Sequence, residues 1–496
     1  MSMMPSRSRE KFQGAVVLPA AAIGLGLLCA CKVGPKYVAP SDTAPPAFKE
    51  AYATASAGAW QPAQPQDAAL KGKWWEMFGE PELDALEARL DINNQNIARY
   101  FQNFMAARAQ VGQARAGLFP AVALDPAFTR VGTGPAMVNS ASAPKGRTTV
   151  NEFSLPIDVS WEPDLWGRIR NTVREYQFAA QVSAADLENE RLTEQADLAE
   201  YFFQLRGQDA LQDIYDRTVE ADRKSLDMTR AQADTGIGGD EAVAQAEVTL
   251  ADAEAACTGI AVNRALYEHA IATLIGTPAS SFSMPVKGLE TKVPAIPVGI
   301  PSRLLQRRPD IASAERAMAQ ANAVIGVATS AYYPSLNLTG SAGFMSSTLS
   351  NLVSAPAFFW SLGASASEAL FDAGLRKATV AQYTAAYQAG VANYRQTVLT
   401  AFQQVEDSIA TLRILSREIV QQEAATKAAQ RYVDIATARY QTGLDSYLAV
   451  VAAQTTLLGD QQILANLRVS EMTASVQLIQ ALGGGWDVAQ LPGARP

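Results

Sequence analysis

Residues 227–236, DMTRAQADTG, and residues 434–443, DIATARYQTG, end two long helical patterns in the same way, 207 residues apart. The same offset relates Gly167 to Gly374 and the Leu-Ile-Gly of 274–276 to the Ala-Leu-Gly of 481–483. A period of this length is far longer than that of a short solenoid repeat. The sequence therefore predicts an elongated, pseudo-symmetric molecule made from two copies of one unit.

Outward from these two breaks, the sequence predicts very long α-helices. They run from about Arg168 to Asp234 and from Leu375 to about Gln441, without an internal proline. At 1.5 Å per residue each would extend roughly 100 Å, more than the diameter of an ordinary domain. Shorter helices are expected over Asp84–Gly117, Asp240 to about Ile275, Pro309 to about Ala331, and Asp445–Leu482. Packed side by side, these helices would form an extended layer rather than a compact globular domain.

The helix that follows Gly236 carries a heptad seam, which is typical of helices packed as in a coiled coil. The seam is apolar with one polar exception, Arg264. Its members are Val243, Ala246, Leu250, Ala253, Cys257, Ile260, Arg264, Tyr267, Ile271 and Leu274.

Between the helices the pattern changes twice to a period of two, which predicts β-hairpins over about 119–161 and 334–367. In the clearest strand, apolar residues alternate with Ser154, Pro156, Asp158 and Ser160; they are Phe153, Leu155, Ile157, Val159 and Trp161. Each strand has about ten residues, the length of a tilted membrane-spanning β-strand. A half-buried sheet of a soluble protein is the alternative reading of the pattern alone.

Four strands cannot close into a membrane barrel, and an open sheet edge in hydrocarbon leaves backbone groups unpaired. The chain would therefore have to pool its strands with other copies. Two copies would give eight strands and a lumen filled by side chains, whereas three would give twelve strands and a modest pore. Closure together with an open lumen favours a trimer or a larger ring.

The N-terminus has the pattern of an export signal. Basic residues precede an apolar core from Gly14 to Leu28, and Leu28-Cys29-Ala30-Cys31 fits the bacterial lipoprotein signal. We expect residues 1–30 to be the signal peptide and Cys31 to be the lipidated first residue; an ordinary signal core that contains cysteine is the alternative. Residues 31–75 would form a lipidated tether.

The remaining chain divides by the repeat. The first structural repeat is expected over 76–285, a linker over 286–308, the second repeat over 309–484 and a tail over 485–496. Trp74 and Trp75 would pack the N-terminal segment onto the helices. Trp161, Trp166 and Trp360, near the strand ends, would suit an aromatic girdle, with simple core packing as the alternative.

Composition argues against several classes of function. Only 18% of the residues are charged and the net charge is −8, so the chain is not built to coat nucleic acid. The single histidine, His269, has no second ligand nearby in sequence for a metal site. Neither a phosphate-binding loop nor a nucleophile motif is present, and the sequence predicts no enzyme activity and no cofactor.

Four stretches of the mature chain resemble the TolC/NodT-type outer membrane factors, and the lipoprotein branch in particular. They are Cys31 with VGPKYVAP at 33–40, WWEMFGEPELD at 74–84, IPSRLLQRRPDI at 300–311, and the repeated Thr-Gly break. The resemblance covers nearly all of the mature chain. It implies the outer membrane channel of a tripartite efflux system that works with a resistance-nodulation-division pump.

The resemblance also implies the assembly. A homotrimer would place a twelve-stranded β-barrel in outer membrane lipid and extend a barrel of long α-helices into the periplasm. A periplasmic adaptor (membrane fusion) protein would join its tip to the inner-membrane pump, which supplies the energy. The chain itself would be a passive, gated conduit.

The Thr-Gly breaks supply the candidate site residues. By resemblance, Thr235, Gly236, Thr442 and Gly443 would lie at the periplasmic tip and contact the adaptor, in addition to capping their helices. The candidate gate residues are Asp227, Asp434, Arg439, Tyr440 and Asp445, for which a solvated outer face is the alternative. Relatives often carry acidic residues shortly after the second glycine, but this chain has Ala449, Val450, Val451, Ala452 and Ala453 there.

The leading function is export of drugs or other small toxic compounds from the periplasm to the exterior. An exit duct for type I protein secretion or for metal ions is a second possibility of the same class. A structural periplasmic lipoprotein without a pore belongs to a different class, and the alternating strands argue against it.

Overall fold

The computed structural model describes residues 33–40, 45, 47–50, 72–133, 148–236, 239–296 and 306–491. The predicted signal peptide, Cys31 and most of the predicted tether lie outside the described residues. Seven α-helices in the described residues are labelled here: α1 (Pro81–Asn93), α2 (Gln95–Ala116), α3 (Arg168–Asp234), α4 (Asp240–Leu274), α5 (Pro309–Ser330), α6 (Leu375–Gln441) and α7 (Tyr447–Ala481).

The two long helices are confirmed. α3 and α6 each contain 67 residues, and their ends coincide with the predicted ones. Glycine in the left-handed region follows each helix, as Gly236 (φ 74°) and Gly443 (φ 73°). Because a residue with a Cβ is strained at this φ, glycine is the residue that ends the helix most readily.

The single helix predicted over Asp84–Gly117 is wrong, since two helices meet at Asn94. The side chain of Asn94 caps α2: its Oδ1 accepts hydrogen bonds from the backbone N–H of Asn96 (2.8 Å) and Ile97 (3.0 Å). Its Nδ2 donates to Glu194 Oε2 (2.8 Å) and to the carbonyl oxygen of Leu274 (2.9 Å). These tertiary partners stabilise the extended backbone of Asn94, and the local pattern could not reveal them.

The strands form one antiparallel sheet in the order β1-β3-β4-β5, with β2 also paired to β3. Their bounds are β1 (Ala121–Leu124), β2 (Ala127–Thr133), β3 (Thr148–Trp161), β4 (Ser335–Ser346) and β5 (Phe358–Ser367). The first of the four predicted strands is interrupted at Asp125-Pro126, because proline cannot donate a ladder hydrogen bond. Four predicted strands therefore become five segments.

The register confirms the predicted alternation. Val159 faces Gly340, Ile157 faces Ala342 and Leu155 faces Phe344, and Ala342 in turn faces Trp360. All of these lie on one face of the sheet, since partners in a ladder point the same way. The face is exposed in the single chain: Trp360 is 69% and Leu362 80% exposed. Large apolar side chains thus cover one exposed face of the sheet.

The described chain divides into two compact units, and each contains parts of both sequence repeats. Among the described residues, the sheet unit comprises 33–40 and those within Ala106–Ala180 and Arg316–Val391, and the helical unit comprises the other described residues. Domain bounds drawn along the sequence therefore describe the repeat, whereas the units follow the spatial packing of its parts.

In the sheet unit, the segment after Cys31 is bound by hydrogen bonds. Val33 N donates to the carbonyl oxygen of Trp166 (3.1 Å), and Asn171 Nδ2 donates to that of Val33 (3.0 Å). Asn322 Nδ2 donates to the carbonyl oxygen of Pro35 (3.1 Å). The N-terminal segment is therefore packed between the beginning of α3 and α5.

In the helical unit, the predicted packing of Trp74 and Trp75 is confirmed. Both are almost fully buried, and the neighbouring Phe78 ring lies 4.9 Å from the Phe203 ring of α3. The seam of α4 is also confirmed, since its members are buried or partly buried. Arg264, its polar exception, pairs with the buried carboxylate of Asp209 (2.7 Å). An ion pair thus explains the charge on the seam.

A pair of matching crossings occurs in the two halves of the helical unit. A side chain at Gly276 would collide with the backbone of Asn93, and one at Gly483 would collide with that of Arg307. Next to these, Asn94 donates to the carbonyl oxygen of Leu274, and Arg308 donates to that of Ala481 (3.2 Å). Arg308 also pairs with Asp310. These contacts give Arg308 and Asp310 a structural role at the second crossing.

Candidate functional site

The candidate tip residues adopt the same local structure twice. Thr235 Oγ1 donates to the carbonyl oxygens of Ala231 and Gln232 at 3.2 and 3.0 Å. Thr442 Oγ1 does the same to Ala438 and Arg439 at 3.1 and 3.0 Å. Each hydroxyl therefore satisfies carbonyls of the last helical turn, which the helix itself leaves without donors.

The two turns are also open to solvent. Thr235, Gly236, Thr442 and Gly443 are all exposed, and nothing lies within 4 Å of a Cβ built on either glycine. Leu444, which follows the second turn, is 69% exposed. This surface could be covered by another protein without any change in the helix ends.

Two of the candidate gate residues form an ion pair across the second turn. Arg439 Nε lies 2.5 Å from Asp445 Oδ2. The hydrogen bond from Arg439 lowers the pKa of the Asp445 carboxyl, and the same bond raises the pKa of the guanidinium. Both side chains are solvent-accessible, so the ion pair links the two ends of the turn but contributes little to the free energy of unfolding.

The structure does not bring the other gate candidates to this pair. Asp227 and Asp434 are exposed on α3 and α6, and Asp434 accepts a hydrogen bond from Gln430 (3.0 Å). Tyr440 is buried instead, with its ring 5.4 Å from that of Tyr447. The five candidates thus fall into an exposed ion pair, two exposed carboxylates and one buried tyrosine.

The sequence analysis missed a group of buried polar residues where α3 packs against α7. Asp222 and Ser225 of α3 are buried, and Gln454 Nε2 of α7 donates to Ser225 Oγ (3.3 Å). Burial raises the pKa of Asp222 to about 6. The sequence signal was weak, because an aspartate among Glu220, Arg223 and Lys224 is typical of an exposed helical face.

In the sheet unit, aromatic residues gather where the strands adjoin the helices. The rings of Trp166 and Tyr333 stack at 4.9 Å, and Trp166 Nε1 donates to the carbonyl oxygen of Pro334 (2.7 Å). Trp161 Nε1 donates to the carbonyl oxygen of Leu118 (3.1 Å). Such amphipathic rings, with the indole N–H satisfied, are typical of a membrane interface.

None of the helices in the described residues combines the length and apolar character needed to cross a membrane. Among the same residues, no cluster of three or more His, Cys, Asp or Glu side chains could hold a metal ion.

The chain is similar to known proteins over most of its length. The family model of outer membrane efflux proteins matches residues 87–277 and 300–484. The antibiotic efflux pump outer membrane protein ArpC of Pseudomonas putida is 31% identical over 471 residues, which cover 93% of this chain and 94% of ArpC. The toluene efflux pump outer membrane protein TtgC, also of Pseudomonas putida, is 31% identical over 439 residues, which cover 86% of this chain and 88% of TtgC.

A solved structure is similar as well. That of the outer-membrane channel OprN is 28% identical, with a TM-score of 0.83, and the match covers 92% of this chain and 100% of OprN. The long helices and the sheet described above are therefore arranged along the chain as they are in a channel.

Proposed function

The chain belongs to the outer membrane efflux protein family, and on that premise we propose that three identical copies form the gated exit duct of a tripartite pump. The duct is passive, because nothing in its own sequence couples it to an energy source. An inner-membrane resistance-nodulation-division pump drives transport, and a periplasmic adaptor protein connects that pump to the tip at Thr235-Gly236 and Thr442-Gly443.

The observation that carries this proposal is the sheet. Its apolar face bears exposed Val122, Ile157, Trp360 and Leu362. The opposite face carries mostly serine, glycine and other small residues, together with Asp158, Met345 and Phe359. In the sheet of the described chain, β1 and β5 each have a neighbour on only one side. An unpaired edge in hydrocarbon costs several kcal/mol per backbone group. Pairing of β5 of one copy with the β1–β2 edge of the next removes both edges.

The connection between sheet and helices supports a duct rather than a simple membrane anchor. β3 leads into α3 and β5 leads into α6, with only short turns between them. Any ring that closes the strands therefore also brings the long helices of every copy into one ring. The lipid on Cys31 adds an anchor to the same membrane.

The relatives suggest the class of compound. ArpC is named for antibiotic efflux and TtgC for toluene efflux. We infer that this chain likewise exports small toxic organic compounds. The pump selects among them, so the duct itself needs little specificity.

The test is a deletion strain exposed to a panel of antibiotics and aromatic solvents, complemented by the wild-type chain. The expected result is hypersensitivity to several compounds that complementation reverses. Unchanged sensitivity to the whole panel contradicts the efflux function. Recordings of the purified protein in planar bilayers distinguish a channel from a structural lipoprotein without a pore, since the latter gives no discrete current steps.

A further inference from the structure

Beneath the two turns, four helices meet in one cluster. α3 contributes Leu226, α4 contributes Ala246, α6 contributes Tyr440, and α7 contributes Tyr447 and Val450, all buried. The cluster is the place where the hairpin of α3 and α4 is joined to the hairpin of α6 and α7 close to the tip. The stability of this cluster therefore determines how firmly the helices stay packed near the turns.

The cluster is not fully apolar. Four buried polar atoms in it or beside it have no hydrogen-bond partner among the described residues: Asp222 Oδ1, Tyr440 OH, Tyr447 OH and Gln454 Oε1. Asp222 is only 2% exposed. A buried polar atom without a partner costs roughly 1–3 kcal/mol, and a charged one costs more. A partly satisfied polar group at a joint weakens it in a way that an apolar core would not.

The groups around Asp222 leave it without a compensating cation. The nearby bases on α3 are engaged at the surface, with Arg223 paired to Glu254 (2.8 Å), Lys224 to Glu220 (2.6 Å) and Arg230 to Glu247 (2.7 Å). α4 presents Val243, Ala246 and Leu250 to the cluster, α6 presents Tyr440, and α7 presents Tyr447 and Gln454.

Burial is the cause of the raised pKa of Asp222, with no opposing cation. Burial and the charge of Asp222 likewise raise the pKa of Tyr447 to about 12, so this hydroxyl stays neutral at physiological pH. Asp222 is thus the group of the cluster that changes charge near neutrality.

We propose that Asp222, with Tyr447 and Gln454, is a proton-dependent latch that holds α7 against α3 at the tip. The protonated carboxyl group donates a hydrogen bond within the cluster and the helices stay packed. The ionised carboxylate is a buried charge without a cation, and it favours the state in which α7 has moved away and water reaches Asp222. The latch rests on the proposed function, since it concerns the opening of the duct.

The direction of the pH effect follows from linkage. The packed state has the raised pKa, so it is fully favoured below the ordinary value of 3.8 and loses stability as the pH rises through about 6. The tip should therefore open more readily at pH 8 than at pH 5. A difference of two pKa units corresponds to at most about a hundredfold change per chain.

Hydrogen exchange of the full-length protein in detergent tests the latch without requiring conduction. Asp222→Asn mimics the protonated state, and Glu220→Gln removes an exposed carboxylate two residues away. At pH 8, the amides of Tyr447–Gln454 should exchange about tenfold more slowly in Asp222→Asn than in the wild type, which is within the linkage limit. The difference should shrink as the pH falls toward 4, where wild-type Asp222 is protonated in both states. Glu220→Gln should follow the wild type throughout. Equal exchange of Asp222→Asn and wild type at pH 8 overturns the proposal.

Two further measurements separate the possible failures. If Asp222→Asn does not fold, Tyr447→Phe is used in its place. After correction for intrinsic exchange rates, the amides of Tyr447–Gln454 in the wild type should be more protected at pH 5 than at pH 8, and loss of the hydroxyl should abolish this difference. A Tyr447→Phe variant that keeps the difference overturns the latch. In bilayers, the open probability of wild type should rise from pH 5 to pH 8. A channel that conducts equally at both pH values contradicts the latch, whereas a chain that never conducts contradicts the proposed duct.

Discussion

The side chain of Glu87 in α1 is fully buried, and neither of its carboxylate oxygens has a hydrogen-bond partner in the described part of the chain. Burial, with Asp91 and Asp84 nearby, raises the pKa of this carboxyl well above its ordinary value of 4.5. Because the folded-state pKa is the raised one, the full stability is present below the unfolded pKa. It is lost as the pH rises through the folded pKa.

Substitution Glu87→Gln should therefore make the protein less sensitive to alkaline pH. We expect wild type to lose about 1–3 kcal/mol more than the variant between pH 5 and pH 9, measured by thermal unfolding in detergent. Glu418→Gln, at an exposed position, serves as the control and should follow the wild type. A variant that loses stability with pH as steeply as wild type contradicts the assignment.

At the scale of single residues, the sequence predicted positions better than environments. The Thr-Gly turns and the Arg264 exception were visible because they break a regular pattern. Asn94, Glu87 and Asp222 were not, because each is buried by helices distant in sequence. The candidate gate illustrates the same limit: Arg439 and Tyr440 are adjacent in sequence, yet one is exposed and the other is buried.

At the scale of elements, periodicity was enough to predict the long helices to the residue and the strands to within a few residues. The heptad and two-residue periods are properties of local geometry, so they can be read without tertiary information. The break at Asn94 and the interruption at Asp125-Pro126 were missed in the pattern, since a change of backbone direction leaves the apolar spacing nearly intact.

The two faces of β5 allow a direct test of the sheet's orientation. Leu362 lies on the apolar face and Ser361 on the opposite face. Leu362→Arg should destabilise the assembled protein by about 2–4 kcal/mol, because it places a charge in lipid. Ser361→Arg should leave thermal stability nearly unchanged and reduce single-channel conductance. The reverse ranking of the two variants in thermal unfolding contradicts the lipid-facing assignment.

The second turn gives a prediction about the adaptor. Leu444→Asp changes an exposed apolar residue directly after Gly443, so the melting temperature should stay within the error of the wild type. Loss of about tenfold in adaptor affinity, or about 1.4 kcal/mol, is expected from co-purification and titration. Val286→Asp, an equally exposed apolar position away from both turns, is the control. Unchanged affinity in Leu444→Asp contradicts contact at this turn.

At the scale of the whole molecule, the repeat predicted two similar halves, but the units of the structure mix them. Strands from both halves share one sheet because β3 pairs with β4 across the repeat boundary. The sequence could predict that the strands need partners, since edge pairing is a general requirement. It could not predict which strand pairs with which, because strand order is decided by the packing of the complete chain.

Closure of the sheet, together with an open lumen, predicts three copies. In detergent, light scattering should give a protein mass of three times that of the mature chain. The trimer should persist at concentrations far below those that support weak association, because its strands are paired. A folded monomer with the same helix content contradicts the duct. Variant Leu362→Arg should shift the protein toward smaller species.

The matching crossings at Gly276 and Gly483 also bear on how the two halves can be exchanged by protein engineers. Both glycines allow another main-chain segment to approach closely. The side chain that donates to the adjacent helix-end carbonyl oxygen differs, since it is the neutral amide of Asn94 in the first half and the guanidinium of Arg308 in the second. The substitution Arg308→Asn, which copies the first half into the second at this position, would leave the carboxylate of Asp310 without its cationic partner. The two crossings are therefore not interchangeable residue by residue, although a glycine allows the close approach of the main chain in each.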